Sequence, residues 1–236
     1  MNNNFDKANT EKSTKIKTIK KNQIKNIIQN YERKPLGKQR RAAIILLLID
    51  IAGKLNIIFQ VRGNTIRQPG ESSFPGGGIE EGETPLRAAL RETKEEMGIP
   101  ADEIEIWGEI DTSISEQHIV HCFVGYLPNY NLSDLKPDPY EVDHIYTVEL
   151  DYFLEHEPTF YKLETKPIPE SNFPFEKIKD GINYPFYNLN KWLPFYNLPE
   201  HIKDEVLWGY TARCVHRFSE IIKTSSILLN DNNCFS

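Results

Sequence analysis

The chain is poor in cysteine, in long apolar runs and in positive charge. Three of its 236 residues are cysteine: Cys122, Cys214 and Cys234. An odd number without CxxC spacing argues against a disulfide framework and a cysteine-built zinc site, and points to a reducing compartment. The longest apolar run, "AAIILLLI" (residues 42–49), is far short of the ~20 residues a membrane helix needs, so it reads as a buried strand. Lys and Arg number 28 against 34 Asp and Glu, a net charge of −6. That balance argues against nucleic acid as the main partner. No signal-peptide pattern opens the chain, the terminal "NCFS" is not a peroxisomal address, and no internal repeat is visible. A cytoplasmic protein without a membrane partner is the expectation. Hydrophobic residues make up 39% and aromatics 11%, enough for the core of one large domain.

What the sequence does have is a concentration of carboxylates. Residues 77–99, "GGIEEGETPLRAALRETKEEMGI", gather Glu80, Glu81, Glu83, Glu92, Glu95 and Glu96. Thr84 suits a helix N-cap, Pro85 the first helical position and Gly98 a left-handed stop. At about 100° per residue, Leu86, Ala89, Leu90, Thr93 and Met97 form one stripe that can face a core. Glu92, Glu95 and Glu96 lie beside it at i, i+3 and i+4, so their carboxylates are neighbours. Like charges at that spacing oppose the helix by roughly a few tenths of a kcal/mol per pair. Either a solvated face paired with Arg87, Arg91 and Lys94 offsets this, or a hard divalent cation does, since such cations take oxygen ligands. The preceding "FPGGGIEEGE" (residues 74–83) favours the cation. Gly76, Gly77 and Gly78 let backbone groups approach a ligand closely and lead toward a helix N-terminus, a common phosphate setting.

The spacing is Gly77, five residues, Glu83, seven residues, then Arg91-Glu92-Thr93-Lys94-Glu95-Glu96-Met97-Gly98-Ile99. It resembles the Nudix box, the signature of the Nudix hydrolases. Thr93 departs mildly, standing where an aliphatic residue is usual. Upstream, "IFQVRGNTIRQPGESSFPGG" (residues 58–77) resembles the extra motif of the coenzyme A pyrophosphatase branch through Arg62, Gly63, Arg67, Gly70 and Phe74-Pro75-Gly76-Gly77. It departs at Gln60, which replaces a threonine. It also has only Gln68 and Pro69 between Arg67 and Gly70, one residue short. Residues 140–158 and 206–218 also look like that branch.

The resemblance implies a Nudix α/β/α sandwich with a mixed β-sheet, a Mg²⁺ or Mn²⁺ cofactor and hydrolysis of a pyrophosphate bond. The implied substrate is a small nucleotide, coenzyme A or a derivative. The products would be 4′-phosphopantetheine, or its acyl form, and adenosine 3′,5′-bisphosphate. ADP-ribose, NADH or another nucleoside diphosphate derivative is the alternative substrate. Glu92, Glu96 and Glu95, with the Gly77 carbonyl, are the implied metal ligands. Arg91 is expected to pair with a neighbouring carboxylate and orient the cluster, and Glu83 to belong to the loop-to-helix junction. The general base stays open among Glu92, Glu95 and Glu141. Arg62 and Arg67, with Gly76 and Gly77, are the expected substrate contacts, since arginine binds phosphate bidentately. His118, His121 and His144 read as structural. The competing class is a non-catalytic Nudix-fold binding module, but such proteins usually lose a box glutamate and none is missing here. Whether the chain pairs as a homodimer is left open.

Along the chain, residues 1–14 are expected to be a disordered polar tail. Residues 15–41 read as a basic segment, an amphipathic helix over 15–31 packing on the domain, then a linker. The Nudix domain is expected over 42–224 and a tail over 225–236. A hairpin is expected from strands 42–51 and 55–62 across "AGK", with further strands at 103–111, 119–127 and 144–150 and a short helix from 152. A final helix is expected over 200–223, with Ile202, Val206, Tyr210, Cys214, Phe218 and Ile221 on one face. Residues 183–196, rich in aromatics, are a candidate wall for a pantetheine arm.

Overall fold

The computed structural model describes residues 19–128, 130–186 and 191–233, except the side chains of 226–233. The expected tail at 1–14 lies outside them. The described residues up to Lys38 form one compact unit and those from Gln39 onward another. In the first, α1 (Lys21–Gln29) lies within the helix expected over 15–31, of which residues 15–18 fall outside the described residues, and none of its residues is buried. No helix among the described residues is long and apolar enough to cross a membrane.

The second unit is organised by β1 (Arg40–Ile51), which pairs antiparallel with β2 (Lys54–Arg62). Ala52 and Gly53 close this hairpin at φ 55° and 83°, the conformation that matches strand twist in a two-residue turn. The Asp50 carboxylate accepts from the Gly53 N–H at 2.8 Å. On its other side β1 runs parallel to β6 (His118–Leu127), so the sheet is mixed. The order is β3 (Ser72–Ser73), β2, β1, β6 and β5 (Glu105–Ile114). β4 (Gly76–Gly78) also pairs with β1, and β7 (Val142–Glu149) with β2.

β1 is apolar without interruption from Ala42 to Ile49 because both faces of that stretch are covered. Ala43, Ile45, Leu47 and Ile49 pack with Ala88, Ala89 and Met97 of α2 (Pro85–Met97). Leu46 and Leu48 pack on the opposite side with Phe153 of α3 (Leu150–Glu155) and Ala212, Val215 and Phe218 of α4 (Gly209–Asn233). The result is an α/β/α sandwich.

The expected final helix is wrong at its start. Glu200–Ile202 is a 3-10 turn, and the helix begins only at Gly209 (φ 64°). Between them Leu207 and Trp208 form β10 (Leu207–Trp208), opposite Tyr196 and Phe195 of β9 (Lys191–Tyr196). Ile202 and Val206 therefore fall outside the helix, and Val206 is 53% exposed. Pairing with β9 took backbone groups that the local periodicity had assigned to a helix. With β8 (Thr159–Leu163), these strands make a second sheet that the sequence pattern had not suggested. α4 continues to Asn233, past the boundary expected at 224. The segment proposed as a pantetheine wall is split. Residues 187–190 lie outside the described residues, and Tyr196 is buried in the core on the α4 side.

Candidate active site

β4 and α2 bring the acidic cluster together. Gly76, Gly77 and Gly78 lie opposite Ile44, Ala43 and Ala42 of β1. Gly76 has φ 149°, and a Cβ there would fall 2.3 Å from the Ala43 carbonyl oxygen. Only glycine permits that approach. Gly77 is glycine for another reason. A Cβ on it would fall 2.4 to 2.6 Å from the carboxylate atoms of Glu92. The bare Gly77 Cα is thus one wall of a cradle for that head group.

α2 is fixed by the local signals of its sequence. Thr84 Oγ1 accepts from the Arg87 N–H at 3.3 Å, Pro85 opens the helix, and Gly98 ends it at φ 71° with its N–H on the Lys94 carbonyl. Thr93 is fully buried and donates to the Ala89 carbonyl at 2.7 Å. This internal hydrogen bond lets a hydroxyl stand where an aliphatic residue is usual.

Glu96 also lies on the buried side, only 3% exposed. Its Oε2 accepts from Gln60 Nε2 at 3.0 Å and from the Gly76 N–H at 2.9 Å. Burial pushes the Glu96 carboxyl up to about 7 despite these bonds, with repulsion from Glu92 and Glu141 adding to the shift. Gly76 is one of the expected substrate contacts, and its N–H donates to this carboxylate.

Arg91 is the hub of the remaining carboxylates. Its Nε and Nη2 donate to Glu83 at 3.1 and 3.2 Å, a bidentate fork. Nη1 donates to both Glu92 Oε1 at 2.9 Å and Glu95 Oε2 at 3.1 Å. Nη2 also reaches the Gly78 carbonyl at 3.0 Å. The Arg91 hydrogen bond holds the Glu83 carboxyl below its ordinary range. Burial raises that of Glu92, with Arg91 working in the opposite direction.

Glu141 joins from another loop. The Asp138 N–H donates to the Glu96 carbonyl, and the Gly63 N–H to the Glu141 carbonyl. The Glu141 charge is felt by both Glu92 and Glu96. The loop after β2 carries the two arginines. Arg62 Nε donates to the Arg67 carbonyl at 2.8 Å, and the Gly70 N–H donates to the Arg62 carbonyl. Gln68 (φ 56°) and Gly70 (φ 76°) close the turn that is one residue short of the motif. Arg67 itself is exposed, and neither arginine forms an ion pair among the described residues. The histidines sit elsewhere. His121 Nδ1 meets Glu109 Oε1 at 2.7 Å, and His144 is held between Asp143 and Glu205.

The donors fit a hard divalent cation. Glu92, Glu95 and Glu96 supply carboxylate oxygens, and the Glu92 head group rests against Gly77, whose carbonyl is a further oxygen donor. Among the described residues no three acidic, histidine or cysteine groups yet converge on one point; Glu92 and Glu95 turn to Arg91 instead. Gln60 is the residue the sequence reading passed over, noting it only as a departure from a motif. The signal was a lone amide inside the apolar strand "IIFQV".

Residues 38–166, more than half of the chain, match the NUDIX domain family. The chain is 32% identical over 117 residues to Nudix hydrolase 3 of Caenorhabditis elegans, which covers 48% of this chain and 49% of that protein. It is 32% identical over 152 residues to peroxisomal coenzyme A diphosphatase NUDT7 of Mus musculus, covering 60% and 62%. It is 29% identical over 119 residues to mitochondrial coenzyme A diphosphatase NUDT8 of Homo sapiens, covering 48% and 50%. The chain thus spans about half to three-fifths of the length of these curated relatives.

Proposed function

The chain belongs to the Nudix family, and from that premise we propose that it is a metal-dependent pyrophosphohydrolase acting on coenzyme A or a derivative of it. The observation that carries the reading is the placement of Glu92 and Glu96. They lie one turn apart on α2, one cradled by Gly77 and the other held from behind by Gln60 and Gly76. An acidic helix face that served only solubility would not bury a carboxylate this deeply. Support for coenzyme A comes from the motif residues Arg62, Gly63, Arg67 and 74–77, and from relatives that carry that activity in their names.

Nudix hydrolases generally use divalent metal ions. Here Glu92, Glu95, Glu96 and the Gly77 carbonyl would hold Mg²⁺ or Mn²⁺, which when bound lowers the pKa of a water and offsets charge on phosphoryl oxygens. The chain's own residues do the rest. Arg91 ties Glu83, Glu92 and Glu95 into one rigid group and so orients the cluster. Of the three candidates for the base, Glu92 and Glu95 both bond Arg91. Glu141 does not, and it faces the cluster from the neighbouring loop; in this reading it accepts the proton from water. Arg62 and Arg67 bind the phosphates of the substrate.

A turnover screen tests this. Coenzyme A, ADP-ribose, NADH and dinucleoside polyphosphates are each incubated with Mg²⁺ and with Mn²⁺. Coenzyme A turnover that EDTA abolishes is expected. Brisk cleavage of ADP-ribose alone would keep the chemistry and overturn the substrate. Binding without turnover of any compound would make the chain a ligand-binding module.

A further inference from the structure

Gln60 occupies the middle of β2 and is fully buried, 0% exposed. Its flanking residues on both sides, Phe59 and Val61, belong to the core. Nε2 donates to Glu96 Oε2 at 3.0 Å, and the Gly76 N–H donates to the same oxygen at 2.9 Å. The other head-group atom, Oε1, is buried without a protein partner. The hydroxyl of Ser73, its cross-strand neighbour on β3, is in the same condition.

A buried acceptor without a protein partner weakens a fold, and an apolar side chain of the same length would not carry that cost. Methionine fits both the volume and the surroundings. The amide therefore does something that packing alone does not require, and its one hydrogen bond among the described residues is to Glu96. Two donors converge on Oε2 from β2 and β4, the elements on which that carboxylate rests. The other oxygen, Oε1, receives no bond from the protein among the described residues.

We propose that Gln60 is a positioning residue. With the Gly76 N–H it fixes the Glu96 carboxylate so that Oε2 faces the protein and Oε1 is presented to the divalent cation. The inference rests on the metal-dependent reading of the site. It goes beyond that reading in assigning a role to the residue at which the chain departs from the branch motif. A threonine carries no side-chain amide, so the donor that reaches Glu96 here comes with the departure from the motif.

The test measures Mn²⁺ binding directly, by electron paramagnetic resonance of the free ion, in full-length wild type and in Gln60→Met. Thermal unfolding without metal is read alongside. Gln60→Met is expected to bind Mn²⁺ about 10–100-fold more weakly, the usual effect of removing a partner of a metal ligand. Its metal-free melting temperature is expected to stay within about 3 °C of wild type, because removing the unpaired acceptor offsets losing the donor to Glu96. A residue that only filled space would leave Mn²⁺ affinity unchanged. A folded Gln60→Met with wild-type Mn²⁺ affinity overturns the inference and leaves the metal site standing. Wild type that binds no Mn²⁺ overturns the site itself. Should Gln60→Met not fold, Gln60→Leu, which also lacks any side-chain donor, is read in the same way. Weakened binding supports the proposal and unchanged binding refutes it.

Discussion

Two adjacent glycines make opposite demands, and replacing each by alanine separates fold from site. At Gly76 an added Cβ meets backbone: the Ala43 carbonyl at 2.3 Å and the Ile44 Cα at 2.6 Å. Neither can move without pulling β1 out of the sheet, and φ 149° is itself unfavourable for alanine. Backbone strain of about 1–3 kcal/mol plus the displaced strand gives a loss of roughly 3–5 kcal/mol. At about 2–4 °C per kcal/mol for a unit of this size, the melting temperature should fall by about 10 °C. At Gly77 the three atoms nearest the added Cβ all belong to the Glu92 carboxylate, the far end of a flexible side chain, at 2.4 to 2.6 Å. That head group must retreat by about 1 Å to reach ordinary contact, a displacement that can cost ~10²-fold in rate. Stability should stay within about 1 kcal/mol of wild type. The assays are thermal unfolding by circular dichroism and kcat/KM on coenzyme A with Mg²⁺. Wild-type turnover in a folded Gly77→Ala would refute the placement of Glu92 in the site. An unchanged melting temperature for Gly76→Ala would refute the close strand contact.

Three further outcomes follow from the same geometry. Glu96→Gln keeps the bonds to Gln60 and Gly76 but removes an anionic ligand, so turnover should drop by about two to four decades with the fold intact; near-normal rates at saturating Mg²⁺ would be incompatible with the site. The Glu96 carboxyl is raised to about 7 in the folded state, above its ordinary unfolded value of about 4.3. The native state therefore binds the extra proton between these values, and metal-free stability should fall as pH rises through that window, by up to about 4 kcal/mol. Melting curves from pH 4.5 to 8 check this, and the slope should shrink in Glu96→Gln. Arg62→Ala should raise KM for coenzyme A more than for dephospho-coenzyme A, whereas equal losses would place Arg62 on the pyrophosphate or in the loop scaffold.

Much of α2 was legible because its determinants are local. Thr84, Pro85 and Gly98 set its ends, and its apolar spacing set its inner face. β1 was legible because eight apolar residues in a row admit few alternatives. What escaped depends on strand pairing and side-chain contacts outside any local period. The second sheet and the true start of α4 rest on pairing of Leu207 and Trp208 with β9, which no local period reveals. Within the site, the carboxylates could be gathered from helix spacing, yet their division of labour could not. That Glu96 is buried while Glu95 is exposed follows from how α2 is rotated against β4. That Gln60 reaches Glu96 follows from sheet order, across 36 residues of chain. The hydrogen bond from the Gly76 N–H to that carboxylate has the same origin.

The central claim is that water cleaves the pyrophosphate of a coenzyme A-type substrate at the Glu92–Glu96 site. Mass spectrometry of the products tests it most directly. Wild type with Mg²⁺ and an acyl-coenzyme A is predicted to yield acyl-4′-phosphopantetheine and adenosine 3′,5′-bisphosphate, and Glu96→Gln neither. Release of free coenzyme A without any phosphopantetheine would mean thioester hydrolysis and would contradict the account.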